Sequence, residues 1–84
     1  MLFQVRLRPS AERELARLPA PQRQRVTRAI QQLRSEPYAG KKLSGEYKGS
    51  YSYRVWPHRI IYYPASLQRT VIIIRIGHRQ GVYG

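Results

Sequence analysis

The sequence predicts an α+β domain: an N-terminal strand, a helical hairpin, then a three-strand antiparallel meander, forming one sheet with the helices packed on one face. Three observations carry this. Apolar positions alternate with period two over residues 3–8 and again from residue 50 onward. Between residues 10 and 35 they recur instead at helical spacing. At 84 residues, 42% of them hydrophobic, the chain can bury one core and not two, so residues 1–84 read as a single domain.

The opening run FQVRLR reads as a short half-buried strand, broken by Pro9-Ser10. Ser10 suits an N-cap, and Glu12 and Glu14 fall in the first helical turn, where negative charge complements the helix dipole. Ala11, Leu15 and Leu18 share a face until Pro19 ends that helix. Pro21 suits the first position of a second helix, whose stripe is Val26, Ala29, Ile30 and Leu33. Pro37 disfavours helical geometry at Glu36, so this helix is expected to stop near Ser35.

YAGKKLSGEYKG is rich in Gly, Ser and Lys and reads as a connecting loop. After it, Tyr51, Tyr53 and Val55 point one way and Ser52, Arg54 and Trp56 the other. Pro57-His58 is a turn, 59–63 a second strand, and 70–76 a third whose β-branched run predicts cover on both faces. Tyr51, Tyr53, Tyr62 and Tyr63 are expected in the core. The apolar stripe of the hairpin must cover one face of the sheet, which leaves the other face for function.

Sixteen Lys+Arg stand against four Asp+Glu, a formal charge of +12, and thirteen of the cations are arginine. Self-repulsion on this scale calls for an anionic partner, and the planar guanidinium fork matches phosphate oxygens in pairs. Nucleic acid is the first expectation, an acidic protein the second. There is no cysteine and no aspartate, which excludes disulfides, thiolate metal sites, cysteine nucleophiles and a Ser-His-Asp triad. Glu12, Glu14 and Glu36 belong to the helical segment and Glu46 to a loop, too few carboxylates on the sheet for a Mg²⁺-dependent nuclease. Two histidines without carboxylates make a poor metal site, so no metal or other cofactor is expected. The N-terminus has no apolar stretch of signal-peptide length, and no window approaches the ~20 apolar residues of a membrane span, so a cytoplasmic protein without membrane association is expected.

Arg54 and Arg59 flank the Pro57-His58 turn, Arg75 lies in the third strand, and Arg79 just beyond it. Adjacent strands are about 4.8 Å apart, so arginines on neighbouring strands can converge. Singly, each reads as a solvated surface charge; together on one face they would need an anion.

KKLSGEYKGSYSYRVWPHRIIYY followed by IRIGHRQGVY resembles the RelE branch of the RelE/ParE toxin superfamily, with its K-L-x-G loop, its arginine-bearing strands and its closing G-[HK]-R-x-x-x-Y. The resemblance implies a RelE-like fold and an mRNA interferase: a ribosome-dependent, metal-independent endoribonuclease that cuts mRNA in the A site by attack of the 2′-hydroxyl on the adjacent phosphate. It also implies a cognate acidic antitoxin, RelB-like, and contact with mRNA and ribosomal RNA. By position, Arg54 matches a basic residue of the catalytic strand and Arg59 the arginine that stabilises phosphate charge. Arg79 matches the closing arginine that supports the leaving oxygen, and Tyr83 the terminal tyrosine that orients the nucleotide.

The sequence departs from the family where Ser52 stands in place of the frequent Lys or Arg, and where His58 replaces a frequent Tyr. An arginine side chain is a poor general base, because it deprotonates only above pH ~12. His78 is the candidate base by imidazole chemistry, against the alternative that it only caps the strand; His58 is a weaker candidate. Trp56 is a candidate RNA-stacking residue, against covering the sheet edge. Lys41, Lys42 and Lys48 fit non-specific contact with ribosomal RNA, against a solvated charge run. Two other functional readings are a ParE-like inhibitor of DNA gyrase that cuts nothing, and a weakened homologue that binds RNA or antitoxin without catalysis.

Overall fold

In the computed structural model, residues 2–78 are described. Strand β1 (Gln4–Leu7) leads into helices α1 (Pro9–Arg17) and α2 (Ala20–Ser35). Then come β2 (Lys41–Lys42), a 3-10 turn at Gly45–Tyr47, β3 (Tyr51–Val55), β4 (His58–Ala65) and β5 (Thr70–His78). The strands form one sheet in the order β1-β5-β4-β3-β2, with β1 parallel to β5 and every other pair antiparallel. The helical hairpin separates β1 from the meander, and such a crossover is what allows a parallel neighbour. The expected α+β architecture with a one-sided helical layer is the one found.

Val26, Ala29, Ile30 and Leu33 of α2 and Ala11 of α1 pack against Ile60, Tyr62, Val71, Ile73 and Ile76 of the sheet, all of them buried. Tyr51, Tyr53 and Val55 border this core from β3, and the Tyr51 and Tyr62 rings stack with centroids 5.7 Å apart. On β5 the inward residues run 71, 73, 76, breaking strict alternation. The register shift explains this: Tyr62 pairs with Ile73 and Ile61 with Arg75, so Ile74 is the extra residue of a bulge. The side chain of Ser10 donates to the Ile74 carbonyl at 3.3 Å.

Several local expectations are corrected. Helix α1 begins two residues early, with Arg8 at the N-cap and Pro9 at the first helical position, and Ser10 goes to the bulge instead of capping. Helix α2 begins at Ala20, which makes Pro21 its second residue; it ends at Ser35 as expected. The lysine-rich loop contains an edge strand, because Lys41 and Lys42 pair with Ser52 and Tyr51. Gly49, at φ 92°, turns the chain back into β3 in a conformation that side chains disfavour. Strand β4 runs on through Pro64, which lies past the last β3 pairing at Tyr51–Tyr62, where one edge of the strand is free. Tyr63 is not core: it alternates with Tyr62, faces away from the helices and is 44% exposed. Among the described residues no helix covers that second face, so the Ile72 and Ile74 side chains of β5 are only half-buried.

Candidate anion site on the open face of the sheet

The open face takes its side chains from Ser52 and Arg54 of β3 and from Arg59, Ile61 and Tyr63 of β4, each alternating with a core residue. Arg54 and Arg59 are direct cross-strand partners, a placement that brings Cβ atoms within about 4.5–5.5 Å. Like charges directly opposite each other destabilise a sheet. The pair is therefore an electrostatic cost that an anion between the two guanidinium groups would remove.

Arg59 is held in place: its Nη1 donates to Ser52 Oγ at 3.3 Å, and Ser52 is 3% exposed. The two arginines border a depression of about 330 Å³ whose floor is Ser52 and whose far wall is Gly40 and Lys41. Among the described residues, three cations and no carboxylate line it. Gly40 closes that wall: its N–H donates to Tyr62 Oη at 2.9 Å, and a Cβ there would lie 2.7 Å from the Ser52 carbonyl oxygen. The Tyr62 phenol is raised above its ordinary value, chiefly by burial.

The other sequence-derived candidates do not gather here. His58 pairs with His78, and Gly77, not His78, stands opposite Arg59. Both histidines thus belong to the helix-side face, with ring centroids 6.2 Å apart and planes at 75°. Strand alternation sets them on the opposite face from Arg54 and Arg59. His58 Nδ1 is buried with no hydrogen-bond partner among the described residues. Burial, and then the nearby charges of His78 and Arg25, lower the imidazole from its ordinary value.

Trp56 lies in the β3–β4 turn, 55% exposed, and its carbonyl accepts from the Arg25 guanidinium of α2. Lys48 caps the 3-10 turn and does not line the depression. Arg75 does not join the cluster, because its Nε pairs with Glu14 of α1 at 3.0 Å. The same carboxylate accepts from the Ile76 N–H at 2.7 Å, tying α1 to the edge of β5. Arg79 and Tyr83 lie outside the described residues. Sequence reasoning missed the structural parts played by Gly40 and Ser52. Both parts depend on the pairing of β2 with β3, and the two residues of β2 offer no periodicity from which to read it.

Two helices packed on one face of a mixed five-strand sheet, with Lys41, Arg54 and Arg59 gathered on the other, define the class: a small α+β sheet-and-hairpin domain. The family model described as ParE toxin of type II toxin–antitoxin systems, parDE, matches residues 5–83, and the chain belongs to that RelE/ParE toxin family. It is 34% identical over 89 residues to toxin RelG of Mycobacterium tuberculosis, covering 99% of this chain and 98% of that protein. Its fold is similar to the toxin–antitoxin complex RelBE2 of the same organism, with TM-score 0.87, 32% identity, and 94% and 100% of the two chains covered. The archaeal RelE–RelB complex of Pyrococcus horikoshii shares the fold at TM-score 0.81 and 22% identity, over 98% of this chain and 100% of that one.

Proposed function

We propose that this type II toxin is a ribosome-dependent endoribonuclease that cleaves mRNA in the A site and is held inactive by a cognate acidic antitoxin in the cytoplasm. The observation that carries the reading is the Arg54–Arg59 pair, set directly across the β3–β4 ladder on the face that, among the described residues, no helix covers and no carboxylate shares. In the reaction the ribose 2′-oxygen bonds to phosphorus as its proton passes to solvent water, and the P–O5′ bond breaks as the 5′-oxygen takes a proton back from solvent, giving a 2′,3′-cyclic phosphate and a 5′-hydroxyl. Negative charge grows on the non-bridging oxygens as the pentacoordinate state forms. Preorganised guanidinium donors aimed at that charge lower the barrier without needing to reorganise.

Arg54 and Arg59 would do this work, Arg59 with its guanidinium steadied by Ser52. Arg79 and Tyr83 are assigned by resemblance to the leaving oxygen and to the nucleotide. The antitoxin reading is supported by the charge of +12 and by the antitoxin–toxin pairing of the RelBE2 complex from M. tuberculosis.

The test incubates purified protein with translating ribosomes and maps mRNA ends by primer extension. Codon-phased cuts are expected, and Arg59→Ala should slow them by about 10²–10³-fold, the usual loss for one charge-stabilising donor. The second reading, gyrase inhibition, is favoured by the description of the matching family model as a ParE toxin. Intact mRNA together with blocked DNA supercoiling would establish it in place of the first.

A further inference from the structure

We propose that Lys41 is a third catalytic cation of the depression, reaching from edge strand β2 over Ser52 to the same phosphate that Arg54 and Arg59 hold; this rests on the nuclease reading above. The register places it. Lys41 is the cross-strand partner of Ser52, so it shares the open face with Ser52, Arg54 and Arg59, whereas Lys42 partners Tyr51 on the helix side. Two adjacent, exposed lysines of identical chemistry thus serve opposite faces.

Ser52 is the common point of the cluster. Its hydroxyl accepts from Arg59 Nη1, and its position adjoins Lys41 on one side and Ile61 on the other. A side chain this small leaves the floor of the depression open, so a four-carbon lysine stem can cross it. A larger residue would fill that space.

The strand carrying Lys41 is fixed at both ends. The Gly40 N–H donates to Tyr62 Oη at 2.9 Å on one side of the lysine pair, and the Leu43 N–H donates to the Ser50 carbonyl at 3.0 Å on the other. Gly40 also allows an approach to the β3 backbone that a Cβ would block. An ordinary surface lysine needs no such anchoring. Pinning a third positive charge beside two facing arginines opposes folding through mutual repulsion, and a dianionic transition state reverses that cost. Lys41 therefore acts on the reacting phosphate, not as a diffuse contact to ribosomal RNA.

The test compares Lys41→Ala, Lys42→Ala and Lys41→Arg with the parent, at one salt concentration, in single-turnover cleavage on translating ribosomes. It adds fluorescence titration of a short oligoribonucleotide carrying a 2′-deoxy sugar at the cut site. Lys41→Ala is expected to lose at least about tenfold in rate, the lower side of what one charge-stabilising donor contributes. Lys42→Ala, with the same loss of net charge, should stay within about twofold of the parent, and Lys41→Arg should recover most of the rate. Equal effects of the two alanine variants would overturn the inference and leave the nuclease reading intact. If the parent cleaves nothing, the nuclease reading fails and the titration decides. Selective loss of affinity in Lys41→Ala then upholds the three-cation phosphate site, and equal affinities of the alanine variants overturn it.

Discussion

Gly40→Ala drives a methyl carbon to 2.7 Å from the Ser52 carbonyl oxygen and 2.8 Å from Tyr62 Oη. The first obstacle is backbone and the second a fully buried phenol, so neither moves aside freely. Overpacking of this kind costs about 1–3 kcal/mol. Pushing the chain away also weakens the Gly40 N–H to Tyr62 Oη bond, a further ~1 kcal/mol. A total of about 2–4 kcal/mol corresponds to a fall of roughly 10–30 °C in Tm for a domain of this size. Because Gly40 precedes Lys41, relief of the clash lifts β2 off β3 and moves the lysine out of the depression. Differential scanning calorimetry reads the stability, and the ribosome assay run well below Tm reads the site. Tyr62→Phe in the same background removes one of the two clashing atoms, so the double variant should cost less than the two single changes added together. A Gly40→Ala protein that melts within about 2 °C of the parent would refute the close packing of β2 on β3, and with it the anchored lysine.

Two further outcomes follow from the same geometry. Glu14→Ala leaves Arg75 and the Ile76 N–H without their shared carboxylate, and a loss of about 2 kcal/mol in urea denaturation is expected; an unchanged midpoint would show that α1 holds β5 by apolar contact alone. Stability should also fall at both ends of the pH range. His58 is lowered from 6.5, so just below that pH the unfolded chain binds the proton more readily than the folded one. Its contribution is present above pH 6.5 and is lost as pH falls through the folded value. Tyr62 is raised from 10.0, so its contribution holds below that pH and is lost as pH rises through the folded value. Denaturation midpoints should lose their acid slope in His58→Gln and their alkaline slope in Tyr62→Phe, and slopes that persist would reject these groups as the cause.

The element sequence was legible because each segment announces its own period. Val26, Ala29, Ile30 and Leu33 can share a face only on a helix, and Tyr51, Tyr53 and Val55 only on a strand. The prolines and glycines between them mark the breaks for local steric reasons. These are short-range constraints, and the chain states them directly. Net charge is likewise a sum over residues, so the need for an anionic partner was written in the composition.

Face membership across strands was not, because it depends on register and on bulges. The extra residue at Ile74 shifts β5 by one position, which no local pattern forecasts. Arg75 reads as a neighbour of the other arginines until packing of α1 brings Glu14 against it. His58 and His78 read as site residues until pairing sets them on the helix side, and Tyr63 reads as core until the same alternation turns it outward. What the linear sequence determined was the two helices, the longer strands and the large excess of positive charge. Which cations share a face, Arg54 and Arg59 with the lysine of a strand too short to show any period, was decided only when distant segments came into register, because contact between them is a property of the folded chain and of no segment alone.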